Sequence, residues 1–304
     1  MSLIEQAAQR LEQLRRAGIV VPEIAAAASP PSATVPARTP PTAGSARTSQ
    51  RVTLDFERLA AAGIVTPNAP RSLIADQFRV IKRPLLTSAK KVGEGAIHHG
   101  NLIMVTSALT AEGKSFTSVN LAMSIAMELD NKVLLVDADV ARPSVLNMLG
   151  LPPAPGLLDV LEGQAEMPGV LLKTNIDKLT ILPSGTPHPR ATELLASDAM
   201  AVLLADMSGR YTDRVIVFDS PPLLLTTEAR VLATQMGQVV MVVRADKTLQ
   251  ADVEHALSTI KACAHVNLML NRARVDSTGS YRGGFGYGYG YGYGYGSPSG
   301  KPTS

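Results

Sequence analysis

The sequence predicts an α/β fold, in which a mostly parallel sheet is covered by helices on both faces. Short apolar runs alternate with amphipathic stretches along residues 71–276, as they do in alternating strand and helix units. The runs are continuously apolar, which is typical of parallel strands buried on both faces. Strands are expected at 101–107, 132–137, 178–182, 214–219, 238–243 and 266–271, and helices at 115–129, 197–208, 226–236 and 249–262.

The preceding segment, residues 1–70, is expected to be a flexible and accessible N-terminal region. Apolar spacing predicts a helix over 2–17, and the Pro-, Ala-, Ser- and Thr-rich stretch 28–50 is typical of a linker. A short repeat flanks this linker, with EQLRRAGIVVP at 12–22 and ERLAAAGIVTP at 57–67. The repeat is either a docking element that a partner can reach or two unrelated helix ends.

Composition excludes several classes of protein. The 304-residue chain has a net charge of +3 and one cysteine, Cys263, so an internal disulfide framework and a metal site built from several thiolates are excluded. The apolar runs are shorter than the ~20 residues of a membrane span, and the N-terminus has no signal-peptide pattern. We therefore expect a cytoplasmic protein. The small net charge does not support nucleic acid as a partner.

A glycine-containing loop follows the first predicted strand. Residues 103–121 (IMVTSALTAEGKSFTSVNL) run from a strand through the loop 108–115 into a helix, which is the arrangement of a P-loop with Ala108 at the usual first glycine position. Backbone N–H groups of such a loop converge on phosphate oxygens. Lys114 is expected to reach the β- and γ-phosphates, and Ser115 to bind Mg²⁺. The loop residues expected to bind the nucleotide are Ala111, Glu112, Gly113, Lys114, Ser115 and Phe116.

Three aspartates follow two other predicted strands. Asp137 and Asp139 lie in VLLVDADVARP (133–143), and Asp219 ends the strand of RVIVFDSPP (214–222). Ligands of α/β sheets bind outside the carboxyl ends of strands, so these carboxylates are expected in the same crevice as the loop. A single aspartate at such a position is as readily a helix cap. Three of them beside a P-loop favour a magnesium-nucleotide site.

These motifs, ALTAEGKS, VLLVDADVARPS and VIVFDSPPLL, together with a tyrosine-rich C-terminus, resemble the bacterial tyrosine kinases of polysaccharide synthesis, the BY-kinase family. The resemblance covers residues 71–296 and is nearest to the autokinases of exosortase-type exopolysaccharide loci. It implies a P-loop NTPase-like fold and the use of ATP and Mg²⁺. It also implies that Lys114 binds phosphates. Asp137 is implied to help hold the metal and to take the proton of the tyrosine. Asp139 is then the second acidic residue of the motif, and Asp219 completes the metal site.

The resemblance also implies partners and an assembly. A helix that contacts the neighbouring subunit of a ring matches Asp76, Arg79 and Lys82, although the same stretch is also typical of an ordinary solvated helix face. In related P-loop ATPases an asparagine at the position of Asn271 contacts adenine, and Arg272 follows it; a polar strand end is the alternative. The implied partners are further copies of this chain, a membrane polysaccharide co-polymerase that determines chain length, and a cognate tyrosine phosphatase. Such a partner would place the chain at the inner membrane.

The C-terminal segment, 277–304, alternates glycine and tyrosine and is expected to be a disordered tail. A tail of this kind can present several phenols to the crevice of a neighbouring subunit. The sequence therefore predicts an ATP-dependent tyrosine autokinase. The expected acceptors are Tyr281, Tyr287, Tyr289, Tyr291, Tyr293 and Tyr295.

Two other functions compete with this interpretation. A partition- or Min-type ATPase would carry a second lysine early in the loop, where this chain has Leu109. A low-complexity interaction protein could use the RGGFGYGYG segment for aromatic association, but Arg282 and Lys301 are the only basic residues of the tail. Phosphotyrosine formed after addition of Mg-ATP separates the kinase from both alternatives.

Overall fold

A computed structural model describes residues 49–210 and 213–273. The helix predicted over 2–17, the first copy of the repeat and the tyrosine-rich tail lie outside the described residues. In that part of the chain, one eight-stranded sheet has the order β1-β4-β5-β3-β6-β2-β7-β8, and β4 and β5 are its antiparallel pair. The strands are β1 (Gln50–Arg51), β2 (Leu102–Ser107), β3 (Lys132–Asp137), β4 (Leu172–Lys173), β5 (Leu179–Leu182), β6 (Arg214–Asp219), β7 (Gln238–Arg244) and β8 (Val266–Asn271).

The predicted α/β fold is confirmed, and each strand and helix predicted within residues 71–276 lies within a few residues of an observed one. Strand β2 is buried along its whole length, as expected for a strand covered on both faces. The helices are α1 (Phe56–Ala61), α2 (Leu73–Lys90), α3 (Lys114–Ala126), α4 (Val145–Leu149), α5 (Leu157–Leu161), α6 (Met167–Val170), α7 (Ala191–Leu195), α8 (Asp198–Arg210), α9 (Thr227–Thr234) and α10 (Gln250–Thr259).

Helices pack on both faces of the sheet and create two apolar layers. Ile103 and Val105 of β2 face a layer that includes residues of α1, α2 and α3, whereas Leu102 and Met104 face a layer that includes residues of α8, α9 and α10. Successive side chains of one strand thus serve opposite layers, as the period of two in a strand requires. Since β6 lies between β3 and β2, the carboxyl ends of these three strands are neighbours.

The domain boundary predicted at residue 71 is wrong. Strand β1 pairs with β4, and Leu54, Leu59, Ile64 and Val65 are buried in the layer that includes α3. The backbone N–H of Val65 donates to Oδ1 of Asn120 on α3 at 2.8 Å. The large apolar side chains of the second repeat copy, 57–67, therefore belong to the core and not to a flexible docking segment. The apolar side chains of this short segment are too few to show a period, so their burial was not evident from sequence.

Within residues 49–210 and 213–273, each helix falls short of the length and hydropathy that crossing a bilayer requires.

Candidate active site

The phosphate loop lies where β2 passes into α3. Its backbone turns through left-handed conformations at Ala111 (φ 62°) and Gly113 (φ 99°), and α3 begins at the next residue. A side chain at Gly113 would collide with the amide of Asn271, so glycine is required by space as well as by backbone conformation. The N–H groups of the first turn of α3 are thus presented at the carboxyl edge of the sheet.

Lys114 is the first residue of α3 and points toward the aspartates. Its ammonium lies 2.5 Å from Oδ2 of Asp139 and 3.8 Å from Oδ1 of Asp219. It also donates to the hydroxyl of Ser115 at 3.2 Å. The lysine therefore lies among the carboxylates from two strand ends, which were predicted to meet here.

The register of the sheet brings the carboxylates together. Asp137 and Asp219 are direct partners in the pairing of β3 with β6. The backbone N–H groups of Ser144 and Val145 both donate to Oδ2 of Asp137 at 3.0 Å, and the hydroxyl of Ser118 donates to Oδ1 of Asp219 at 3.0 Å. One oxygen of each carboxylate is fixed by these contacts.

The other oxygen of each of these two carboxylates has no partner among the described residues. Oδ1 of Asp137 and Oδ2 of Asp219 are buried and accept no hydrogen bond from any described residue. Leaving such an acceptor unsatisfied is costly in a folded protein. Two unpartnered carboxylate oxygens beside the hydroxyl of Ser115 form a donor set that suits a hard divalent cation such as Mg²⁺.

Burial and mutual repulsion alter the ionisation of this cluster. Burial, and then the neighbouring carboxylate of Asp219, raise the pKa of Asp137 to about 7. Burial likewise raises the pKa of Asp219, although Lys114 and the Ser115 and Ser118 hydroxyls oppose the rise. Burial by itself would lower the pKa of Lys114, but Asp219 and Asp139 outweigh it and the net direction is upward. The lysine is therefore charged at neutral pH.

A cavity of about 590 Å³ opens beside this cluster. Asp139 and Lys114 line it, whereas Asp137 and Asp219 lie behind them and are 1% and 0% exposed. Its further lining includes the predicted residues Ala111, Gly113, Ser115 and Phe116, as well as Arg142, Met148, Pro221, Pro222 and Leu225.

Glu112 was predicted to bind nucleotide, but its side chain turns into the protein. The carboxylate is 3% exposed; it accepts from the N–H of Leu109 at 2.7 Å and from the hydroxyl of Thr248. Its backbone carbonyl accepts from Nδ2 of Asn271 at 2.8 Å. Glu112 therefore joins the phosphate loop to the segment after β7 and to the end of β8. Sequence alone gave no signal for the contact with Thr248, because the two residues are 136 positions apart.

Asn271 and Arg272 lie at the end of β8, next to the phosphate loop. Asn271 contacts the loop through Glu112, and Arg272 is exposed with a left-handed backbone. That Asn271 contacts an adenine base stays a prediction.

The three predicted interface residues of α2 have different surroundings. Asp76 and Arg79 form an exposed ion pair at 2.6 Å. Lys82 is 4% exposed and bonds within its own chain, to the Ser124 carbonyl at 2.5 Å and to Glu128 at 2.6 Å. The prediction that Lys82 contacts another subunit is therefore wrong, because its ammonium is already enclosed by the C-terminal end of α3.

Comparison with known proteins finds relatives that are named as tyrosine-protein kinases and a relative that is named for polysaccharide transport. The chain is 30% identical to tyrosine-protein kinase YwqD of Bacillus subtilis over 200 residues, which cover 66% of this chain and 81% of that protein. It is 32% identical over 158 residues to tyrosine-protein kinase Wzc of Salmonella typhi, covering 52% of this chain and 22% of the relative. It is also 32% identical over 235 residues to the succinoglycan biosynthesis transport protein ExoP of Rhizobium meliloti, covering 75% and 28%.

Solved structures agree with these relatives. The VpsO kinase domain is 28% identical with a TM-score of 0.57, and the match covers 66% of this chain and 97% of that domain. The chimeric protein CapA2B2 is 26% identical with a TM-score of 0.58, covering 73% and 92%. No protein-family model matches the chain. The similarity to YwqD over most of that kinase, together with the nucleotide-binding P-loop fold, shows that this chain belongs to the bacterial tyrosine kinase (BY-kinase) family and is a protein-tyrosine kinase.

Proposed function

We propose that this kinase transfers the γ-phosphoryl group of ATP to tyrosines in the tail of a neighbouring copy of the same chain. The observation that carries the proposal is the cluster of Lys114 with three strand-end carboxylates beside the phosphate loop. The proposed acceptors are Tyr281, Tyr287, Tyr289, Tyr291, Tyr293 and Tyr295.

The phosphates of ATP would lie in the loop 108–115, against the N–H groups at the start of α3. The loop geometry supports this position because these groups and the helix dipole favour anions. In the described structure the ammonium of Lys114 is paired with Asp139. Phosphate oxygens would compete with Asp139 for it, so we assign Lys114 to the β- and γ-phosphates and Asp139 to positioning that lysine.

Magnesium fits the donor set formed by Ser115, Asp137 and Asp219. Both carboxylates keep one buried oxygen without a partner in the described part of the chain, and both are oxygen ligands of the kind that the ion prefers. Bound there, Mg²⁺ would neutralise negative charge on the phosphates during transfer.

The transfer itself is a displacement at phosphorus. The phenol oxygen forms a bond to the γ-phosphorus, the bond to the bridging oxygen breaks, and ADP leaves with that electron pair. The phenol, whose pKa is near 10, must lose its proton as it attacks. We assign the proton to Asp137, the base that the resemblance to the family implies at this strand end.

The assembly is proposed to respond to the reaction. Asp76 and Arg79 are exposed on α2 and remain available to a neighbouring subunit. Each phosphate would add roughly −1.5 to −2 units of charge to the tail. Accumulated charge would weaken the contacts between subunits and so reset a ring of these chains.

The names of the relatives support a role in exopolysaccharide synthesis or export. ExoP is named for succinoglycan biosynthesis and transport, and we propose a corresponding role for this kinase. The partners would be a membrane chain-length determinant, which would hold the kinase at the inner membrane, and a tyrosine phosphatase that hydrolyses phosphotyrosine back to tyrosine and inorganic phosphate.

Mixing two variants tests transfer between copies. A donor that lacks 277–304 and an acceptor with Lys114→Met are combined with Mg-ATP, and the acceptor tail is examined by mass spectrometry. We expect phosphate on acceptor tyrosines, and none when the donor also carries Lys114→Met. A tail that stays unmodified in the mixture, while the unaltered chain phosphorylates itself, would overturn transfer between subunits.

A further inference from the structure

A second cavity lies at the opposite edge of the sheet from the phosphate loop, where β3, β5 and β6 begin. Its volume is about 520 Å³, within the usual range for a small-ligand site. The lining is polar, with threonine hydroxyls and an asparagine amide among the charged groups. Five basic side chains line it: Arg51, Lys132, Lys173, Lys178 and Arg214.

The basic side chains are arranged in like-charged pairs by the strand register. Arg51 is the direct partner of Lys173 between β1 and β4, and Lys132 is the direct partner of Arg214 between β3 and β6. Like charges opposite one another on adjacent strands destabilise a sheet. Neither Arg51 nor Lys173 has an ion-pair partner among the described residues, so an anionic ligand would relieve the repulsion between them.

Acidic groups offset only part of this charge. Asp177 is the one carboxylate among the described residues of the lining. Asp213 beside the cavity binds Lys132 at 2.7 Å and lies 3.8 Å from Nε of Arg214, so it serves two of the five cations. Lys178 is already engaged, because it donates to the carbonyls of Glu128 and Leu129 at 2.7 Å each.

Two of the five cations keep their charge free for a ligand. Arg51 and Lys173 are exposed and have no ion-pair partner among residues 49–210 and 213–273. A guanidinium next to an ammonium is a suitable receptor for a phosphate monoester, which accepts charge-assisted hydrogen bonds from both.

The chain itself contains a segment that would acquire this chemistry. The unmodified tail, 277–304, carries Arg282 and Lys301 and no acidic residue, so a basic cavity repels it. One phosphate adds roughly −1.5 to −2 units of charge, and several would make the same segment strongly anionic. Binding would therefore depend on phosphorylation.

We propose that this basic cavity binds phosphotyrosine of the C-terminal tail. The proposal rests on the proposed function, since it takes the product of tail phosphorylation as its ligand. It gives the kinase a site for its own product that is separate from the site of transfer. The phosphorylated tail would be held at the edge of the sheet remote from the phosphate loop and withdrawn from further reaction.

The test uses a synthetic peptide of residues 281–296 with a phosphate on Tyr289, titrated into the 304-residue chain carrying Lys114→Met. We expect the phosphopeptide to bind at least tenfold more tightly than the unmodified peptide and than inorganic phosphate. Arg51→Gln together with Lys173→Gln should reduce its affinity at least tenfold. Lys90→Gln together with Lys91→Gln removes the same charge from exposed positions outside the cavity and should leave the affinity unchanged.

Several results would overturn the proposal. Equal affinity of the cavity variant and its control would exclude the cavity, and thermal unfolding of both variants verifies that each is folded. Equal binding of inorganic phosphate would exclude recognition of the tyrosine. Binding to phosphatidylglycerol vesicles that requires Arg51 and Lys173, without peptide binding, would assign the cavity to a membrane surface.

The outcome is independent of the autokinase assay. A chain that phosphorylates its tail but does not bind the phosphopeptide would contradict the cavity assignment alone. A chain that binds the phosphopeptide but never forms phosphotyrosine would contradict the proposed function alone.

Discussion

A lysine lies at each end of helix α3, Lys82 of α2 at the C-terminal end and Lys114 at the N-terminal end, and the two ends are organised in opposite ways. At its C-terminal end, Lys82 meets one carboxylate, Glu128, and one backbone carbonyl. At its N-terminal end, Lys114 is surrounded by Asp137, Asp139 and Asp219. Negative charge is in excess at the second end only, because at the first end Glu128 also pairs with the exposed Arg83 at 3.4 Å.

The difference separates a structural site from a functional one. Lys82 is 4% exposed, and its hydrogen bond with Glu128 lowers the pKa of that carboxyl, so the carboxylate is stabilised as an ion. At the other end burial raises the pKa of two carboxyls, and two oxygens lack partners among the described residues. Replacing a carboxylate by an amide should therefore lower the free energy of unfolding at the first end and raise it at the second.

The largest expected effect concerns the packing around α3. Removing residues 1–70 deletes Leu54, Leu59, Ile64 and Val65, and each buried aliphatic side chain contributes about 1.5–3 kcal/mol. The total is comparable with the whole stability of a domain, about 5–15 kcal/mol. Circular dichroism should show an unfolded chain, whereas a chain that starts at Ser49 should unfold cooperatively. Equal melting temperatures would mean that this segment is dispensable.

The C-terminal end of α3 is tested by Glu128→Gln. The change leaves the buried Lys82 ammonium without its carboxylate, and we expect the free energy of unfolding to fall by about 2–4 kcal/mol, somewhat less than for a fully buried pair. Asp76→Asn is the matched control, because its ion pair with Arg79 is exposed and should contribute under about 1 kcal/mol. Urea denaturation measures the free energy of unfolding of both variants. Similar losses would show that the Lys82–Glu128 pair contributes no more than the exposed pair.

The N-terminal end of α3 is tested by Asp137→Asn in the absence of magnesium. We expect the free energy of unfolding at pH 8 to rise on the order of 1–4 kcal/mol, since each unit of pKa corresponds to about 1.4 kcal/mol. The carboxyl has a pKa of about 7 when folded and an ordinary value of 3.8. Between these values the folded chain binds the additional proton, so stability should decrease as pH rises from about 4 to 7.

The pH dependence provides the control for this experiment. Asp137→Asn should remove a large part of that decrease, and the remainder belongs to Asp219, whose pKa is raised in the same direction. A variant that keeps the full slope would show that Asp137 is ionised throughout.

The smallest effect concerns the connection between the phosphate loop and Thr248. Thr248→Val removes one hydrogen bond to Glu112 and should weaken ATP binding roughly 3- to 10-fold, since such a bond contributes about 0.5–1.5 kcal/mol. Thr248→Ser keeps the hydroxyl and should restore affinity. If the valine and serine variants bind a fluorescent ATP analogue equally, the contact does not position the loop.

The sequence predicted those parts of the molecule that are encoded locally. The phosphate loop and the three aspartates follow apolar runs directly, so parallel pairing alone brings Asp137 and Asp219 together. Continuous apolar runs were likewise enough to find β2, β3 and β6.

Features that depend on distant contacts were not predictable in this way. Lys82 resembles a surface residue of an amphipathic helix until Glu128 packs beside it. The burial of Leu59 depends on a layer formed by residues far along the chain, and so does the turn of Glu112 toward Thr248. Which carboxylate oxygens lack partners depends on side-chain orientation, which no local pattern determines.

Asp219→Asn tests whether the excess of carboxylates at the N-terminal end of α3 serves phosphoryl transfer, because stability and phosphotransfer are measured on one variant. We expect this variant to melt at a higher temperature than the unaltered chain at pH 8 without magnesium. With Mg-ATP we expect it to form phosphotyrosine more slowly, by a factor on the order of 10² or more. A variant that melts lower, or that forms phosphotyrosine at the rate of the unaltered chain, would show that the excess of buried carboxylates at α3 does not serve phosphoryl transfer.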